Sequence, residues 1–175
     1  MVAFTLNGAA VALDVPRDVS LLQALRGPGG LSGPRFGCGT EQCGSCMVLV
    51  DGVTAYACTL AASAVAGKAV TTVEGLGTPD APHPLQAAFL AEQAGQCGYC
   101  LSGILVSAAA LLARDPEPDE AAIRAALDPH LCRCGSHNRI IRAVQRAARA
   151  MRVPPDRRRA EAQPSTAGVN REANP

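Results

Sequence analysis

The chain has 175 residues, enough for one domain or two small ones. Hydrophobic residues make up 48%, but much of that is alanine and there is no tryptophan, so the core buries little area per residue and metal staples would help to hold it. The net charge of +1 is unevenly spread, with four basic and five acidic groups over 1–78, three and seven over 79–138, and nine and three over 139–175; the basic end lacks a stacking platform, since aromatics are only 3%, and nucleic-acid binding is excluded on that ground.

The N-terminus shows no basic start followed by an apolar run, so no secretory signal is expected. The longest apolar stretch, 104–113, is too short and too rich in Ala and Ser to span a bilayer. A cytoplasmic protein is expected, associated with the inner membrane only through partners. A reducing compartment favours metal-bound thiolates over disulfides for the eight cysteines.

Residues 2–15 alternate around Asn7-Gly8, a two-residue hairpin signal. A helix should start at Ser20, which stands in capping-box spacing with Gln23, while Leu21, Leu22 and Leu25 supply its apolar face. The Gly27-Pro28-Gly29-Gly30 run ends it. After a loop from 35 to 46 crowded with Gly and Cys, residues 47–50 and 53–56 flank Asp51-Gly52 as a second hairpin, and a last strand is expected over 70–73. The character changes near Gly75-Leu76-Gly77-Thr78-Pro79, which places a domain boundary after residue 76. Beyond it the periods are helical: a helix from Pro84 with Leu85, Ala88, Phe89 and Glu92 at three- and four-residue steps, a second over 101–113, a third capped by Asp119 and running to Leu127, and a fourth from about 138 to 151. From 153 to 175 almost no apolar residues remain, and a polar tail without a packed fold is expected.

The cysteines fall into two quartets. Cys38, Cys43 and Cys46 read C-x4-C-x2-C, with Cys58 following; Cys97 and Cys100 read C-x2-C, and Cys132 and Cys134 read C-x-C. Each supplies four thiolates, the number a [2Fe–2S] cluster needs, and the first has plant-type ferredoxin spacing. Gly37, Gly39 and Gly44 surround the first set, where backbone N–H groups are free to point at sulfur. Each half of the second set leads straight into a helix, whose first N–H groups suit an anionic cluster. Structural zinc also uses four cysteines with C-x2-C pairs, so for the second quartet zinc stays open on spacing alone.

The segment Gly37-Cys38-Gly39-Thr40-Glu41-Gln42-Cys43-Gly44-Ser45-Cys46 resembles the N-terminal cluster motif of the iron–sulfur subunits of molybdenum hydroxylases, the xanthine dehydrogenase and aldehyde oxidase group. Gln96-Cys97-Gly98-Tyr99-Cys100 and Leu131-Cys132-Arg133-Cys134-Gly135 resemble its second-cluster motifs, and Phe4-x-Leu6-Asn7-Gly8 and His83-Pro84-Leu85-Gln86 are similar to the family as well. The resemblance covers about residues 2–150. It implies an α+β fold: a β-grasp ferredoxin-like domain over 1–76, then an all-α four-helix [2Fe–2S]-binding domain over 77–152. It implies that Cys38, Cys43, Cys46 and Cys58 hold one cluster, and that Cys97, Cys100, Cys132 and Cys134 hold a second that lies near the molybdenum cofactor of a large partner subunit. It also implies that Gln96 hydrogen-bonds the pterin and that Cys134 approaches the pterin amino group. Cys100-Leu101-Ser102-Gly103 and Cys134-Gly135-Ser136-His137-Asn138-Arg139-Ile140 resemble the isoquinoline, nicotinate and aldehyde branch rather than the xanthine or carbon monoxide one. That branch implies molybdopterin cytosine dinucleotide in the partner, a substrate that is an N-heterocycle or an aldehyde, and a cytochrome or other external electron acceptor.

No nucleophile–base pair, phosphate loop or carboxylate dyad stands out, so no active site is expected in this chain alone. His83 reads as a residue at a helix start; His130 and His137 read as surface or turn residues, or as donors to the cysteine ligands. Arg139, Arg142, Arg146 and Arg149 share one helical face, read as solvated, with Ile141, Val144 and Ala148 on another. Three functions remain in view: the electron-transfer component of a larger enzyme, a stand-alone two-cluster ferredoxin, and a zinc-stabilised adaptor.

Overall fold

The computed structural model describes residues 1–152, and the expected polar tail over 153–175 lies outside the described residues. Val2, Phe4 and Leu6 alternate inward along β1 (Val2–Leu6), which turns through Asn7 and Gly8, at φ 50° and 86°, into the antiparallel β2 (Ala9–Leu13). The same chemistry at Asp51 and Gly52, φ 50° and 81°, joins β3 (Met47–Val50) to β4 (Val53–Tyr56). A fifth strand, β5 (Ala69–Thr71), lies between the hairpins, parallel to β1 and antiparallel to β3, giving the order β2-β1-β5-β3-β4.

The strand expected over 70–73 therefore begins and ends earlier. Thr72 leaves the ladder because its backbone N–H donates to Asn7 Oδ1 at 2.8 Å and its hydroxyl bonds Glu74 at 2.6 Å; a 3-10 turn follows at Val73–Gly75. Helix α1 (Leu21–Arg26) lays Leu21, Leu22, Ala24 and Leu25 on the sheet, and its Ser20 cap accepts from Gln23 N–H at 3.2 Å as the capping spacing requires. This is a β-grasp sheet with one helix across it.

Four helices form the second half: α2 (Pro84–Ala91), α3 (Leu101–Arg114), α4 (Glu120–Leu127) and α5 (His137–Arg152). His83 does start α2: its Nδ1 accepts from Leu85 N–H at 3.1 Å, while its own backbone N–H donates to Gln86 Oε1 at 2.8 Å. Asp119 caps α4 through Ala122 N–H at 2.7 Å. Leu85, Ile104, Ile123, Ile140 and Val144 are fully buried, each stabilising the bundle by about 1.5–3 kcal/mol. Ile141, Val144 and Ala148 of α5 face inward as the periodicity predicts. The arginine face is less idle than a purely solvated one. Arg142 and Arg146 both reach Glu92 at the end of α2, and Arg139 donates to Gln93 O, tying α5 to α2. These bonds hold the Glu92 carboxyl below its usual range, the hydrogen bond from Arg146 most of all.

The two halves have separate buried clusters but press together where α3 crosses β3. Val73 and Leu76 pack on the helical core, and Glu74 accepts from Gly33 N–H at 2.6 Å. This alignment brings the two cysteine-bearing loops face to face.

Candidate metal centres

The loop after α1 wraps its own sulfurs in backbone donors. Thr40 N–H and Gln42 N–H donate to Cys38 Sγ at 3.4 and 3.2 Å, and Cys38 N–H donates to Cys43 Sγ at 3.3 Å. With Thr40 contributing most, these donors pull the Cys38 thiol down to about 6, the behaviour of a site built for a thiolate. Glu41, between the two donors, sits at φ 61°, a strained conformation for a residue with a side chain, and its carboxylate is held by the Thr59 hydroxyl.

Cys58 reaches the site because its segment is tied to α1 and to Cys46. Leu22 N–H and Leu21 N–H, two otherwise unpaired groups at the start of α1, donate to Ala57 O and Leu60 O, each at 2.7 Å. Ala57 N–H donates to Cys46 O at 3.3 Å. The Cys46 and Cys58 sulfurs are thereby neighbours, and burial pushes the Cys46 thiol up to about 12.

The second quartet is assembled from two helix starts. Cys97 and Cys100 precede α3, Cys132 and Cys134 precede α5, and the sulfurs pair as Cys97 with Cys134 and Cys100 with Cys132. Tyr99 N–H and then the Cys134 side chain lower the Cys97 thiol. Burial works against ionisation at Cys132, but the N–H groups of Ser136, Cys134 and Gly135 and the Cys100 thiol outweigh it. Burial lifts Cys100 to about 12. Cys97 is exposed, so this site has one edge open.

In each quartet the sulfurs therefore meet two by two, and among the described residues no three His, Cys, Asp or Glu side chains converge on a single-ion position. Two thiolates on each of two irons is what a [2Fe–2S] rhomb asks for; one tetrahedral zinc would draw all four to one point. The buried thiols near 12 would ionise only under a bound cation, which couples metal uptake to proton release. The donor set fits the clusters.

Gln96 lies beside the open edge. Its amide donates to Cys134 O at 3.2 Å, so the two residues expected to face a pterin stand together. Gln96 also lines a broad hollow of about 920 Å³ with Phe89, Leu90, Leu101, Leu105 and Arg139.

Two residues that join the loops, Tyr99 and Arg35, escaped the sequence reading. Tyr99 donates its hydroxyl to Phe36 O at 2.5 Å; Arg35 stacks over the Tyr99 ring at 5.2 Å and donates to Gly98 O at 3.3 Å. His130 is corrected outright: it is not a surface residue but 4% exposed, with Nε2 at 2.7 Å from Ser107 Oγ, and burial pushes its imidazole down to about 4. Its ring lies where a side chain on Gly44 would have to go, and Gly44, at φ 70°, also presses its carbonyl against Gly103 of α3. Next to it, Leu131 N–H donates to Cys43 O at 3.2 Å, linking the residue before Cys132 to a cysteine of the other quartet. The only sequence signal for this seam was the pair Gly44 and Gly103; their partners are distant in the chain.

Residues 4–70 match the family described as "2Fe-2S iron-sulfur cluster binding domain", and residues 72–145 match the "[2Fe-2S] binding domain" family. A component of the nicotinate dehydrogenase of Pseudomonas putida is 48% identical over 153 residues, covering 87% of this chain and 98% of its own. The alpha chain of isoquinoline 1-oxidoreductase from Brevundimonas diminuta is 49% identical over 150 residues, 85% of this chain and 98% of its own. This chain belongs to the iron–sulfur small subunits of the molybdenum hydroxylase family. Among solved structures of the family, quinoline 2-oxidoreductase from Pseudomonas putida 86 superposes with a TM-score of 0.82 at 35% identity, over 86% of this chain and 94% of that one. The α+β architecture of a ferredoxin-like half and a helical half is the family's, and the chain is one subunit of an oxidoreductase, carrying two 2Fe–2S-binding domains. Among the described residues no helix is long and apolar enough to cross a membrane.

Proposed function

We propose that this chain is the electron relay of a molybdenum-containing hydroxylase, receiving electrons at its helical half and releasing them at its ferredoxin-like half. In this reading Cys97, Cys100, Cys132 and Cys134 hold the entry cluster, and Cys38, Cys43, Cys46 and Cys58 the exit cluster. The units are 1–76 and 77–152. When bound, the clusters supply one-electron redox chemistry, and the protein sets their potential, spacing and access. The observation that carries the reading is the seam between the quartets: the Leu131 N–H bond to Cys43 O, with His130 packed on Gly44, keeps the two sites in direct register.

The open edge at Cys97 and Cys134 supports docking on a large subunit that holds the molybdenum cofactor. Gln96 would donate its amide to the pterin there, giving up the Cys134 carbonyl, and Cys134 would face the pterin amino group. Exposed Leu90, at 78%, offers that partner apolar contact in the hollow it lines with Gln96. The similarity to nicotinate and isoquinoline enzymes supports an N-heterocycle as the substrate of the complex, and that to an aldehyde oxidoreductase subunit of Escherichia coli supports an aldehyde; molybdopterin cytosine dinucleotide as its cofactor, a cytochrome or other external acceptor, and a cytoplasmic location belong to the same proposal.

The test is Cys134→Ala in the purified complex. One of two EPR signals of the reduced protein should vanish while the other persists, and a large molybdenum-containing subunit should still co-purify with the wild type. Survival of both signals unchanged would refute the ligand assignment. A wild-type chain that never associates with a molybdenum subunit would instead support a stand-alone ferredoxin.

A further inference from the structure

The first turn of α5 carries a serine that does not cap it. Ser136 occupies the N-cap position, its carbonyl accepting the first helical bonds from Arg139 and Ile140 at 2.9 and 3.0 Å. Serine is favoured there because its hydroxyl accepts from the following N–H groups, as Ser20 does for α1 and Asp119 for α4. Ser136 Oγ makes no such bond. It is buried, the residue being 4% exposed, and has no hydrogen-bond partner among the described residues. Ser136 instead lines the small space enclosed by Cys97, Cys100, Cys132 and Cys134. A buried hydroxyl left unpaired is costly, and forgoing the cap adds to the cost, so the conformation calls for an acceptor in that space. The acceptors there are sulfurs, and the thiolates and sulfides of a [2Fe–2S] cluster are anionic.

We propose that the Ser136 hydroxyl donates a hydrogen bond to a sulfur of the helical-half cluster and thereby raises that cluster's reduction potential. The inference rests on the ligand assignment proposed above. Sulfur carries more negative charge in the reduced cluster, so a donor aimed at it favours the added electron. The Ser136 N–H is among the groups that favour the Cys132 thiolate, and with the hydroxyl this residue would be a double donor. Cys38 in the other quartet is served in a similar way, by the Thr40 and Gln42 N–H groups together with the Thr40 side chain.

The experiment is an EPR-monitored redox titration of the holo complex carrying wild-type Ser136, Ser136→Ala or Ser136→Thr, with iron content measured on each. The expected result is a negative shift of one cluster's midpoint in Ser136→Ala and no shift of the other. Ser136→Thr keeps a hydroxyl and should stay near wild type. Resonance Raman in H₂O and D₂O should show the isotope sensitivity of the Fe–S stretches reduced in the alanine variant only. Should Ser136→Ala fail to load its cluster, Ser136→Gly is read by the same criteria. Equal midpoints in all proteins, a threonine shift as large as the alanine one, or equal displacement of both clusters would overturn the proposal. If the wild type itself lacked two clusters, the ligand assignment would fall rather than the role of Ser136.

Discussion

The two cysteine quartets are built by opposite strategies. The first is a continuous loop: three of its cysteines lie within nine residues, backbone N–H groups of the same loop cradle Cys38, and Cys58 is brought in by the strand pair and the start of α1. The second is a junction: its halves are 32 residues apart, counting from Cys100 to Cys132, and meet only because α3 and α5 pack in one bundle. Local folding can preform the first, whereas the second depends on the whole helical core. The open edge belongs to the second, at Cys97, and the strained backbone belongs to the first, at Glu41. The exposed edge of the second site suits the docking role proposed for it, while the first is wrapped by its own chain.

The largest effects should come from the buried sulfurs. Cys46→Ser should abolish the ferredoxin-like cluster and spare the other, while Cys100→Ser should abolish the helical one. Iron content should fall by about half in each, with one EPR signal lost. Because the second site also staples the bundle, Cys100→Ser should lower the thermal midpoint more than Cys46→Ser; the reverse order would break the contrast between loop and junction.

Next in size is the seam. A side chain on Gly103 would run into the Gly44 carbonyl, so Gly103→Val should destabilise the protein by about 3 kcal/mol and reduce occupancy of both clusters together. Denaturant unfolding and iron analysis would show it. Loss confined to one cluster would mean that the two sites are less tightly joined than their contact suggests.

A smaller effect follows from His130. Its folded pKa lies near 4, below the ordinary 6.5, so the native state resists a proton that the unfolded chain accepts. Between pH 6.5 and 4 the unfolded state binds more protons, and stability must fall as pH falls. The thermal midpoint of the wild type should therefore drop more steeply over this window than that of His130→Gln. Smallest is Tyr99→Phe, which removes only the hydroxyl bond to Phe36 O at a half-exposed position. It should cost about 0.5–1.5 kcal/mol by thermal melting and leave both EPR signals in place.

What the sequence disclosed was local chemistry. Asn7-Gly8 and Asp51-Gly52 announce their hairpins because the turns need positive φ at those residues, and Ser20, His83 and Asp119 announce helix starts because each serves N–H groups two or three residues on. The cysteine spacing announced two sites of four thiolates. What stayed hidden was set by distant partners. The end of β5 is fixed by Asn7, 65 residues from Thr72. His130 follows a turn, as expected, but looked like a surface residue because nothing nearby shows that Ser107 and Gly44 enclose it. Nothing in the sequence singles out Ser136, and only the fold shows it buried beside the cysteines with its hydroxyl unpaired.

Iron and acid-labile sulfide measured together on the anaerobically purified protein address the central claim most directly. Two separate thiolate sets on one chain predict about four irons and about four sulfides per polypeptide. Half those values, or zinc in place of iron without sulfide, would contradict it.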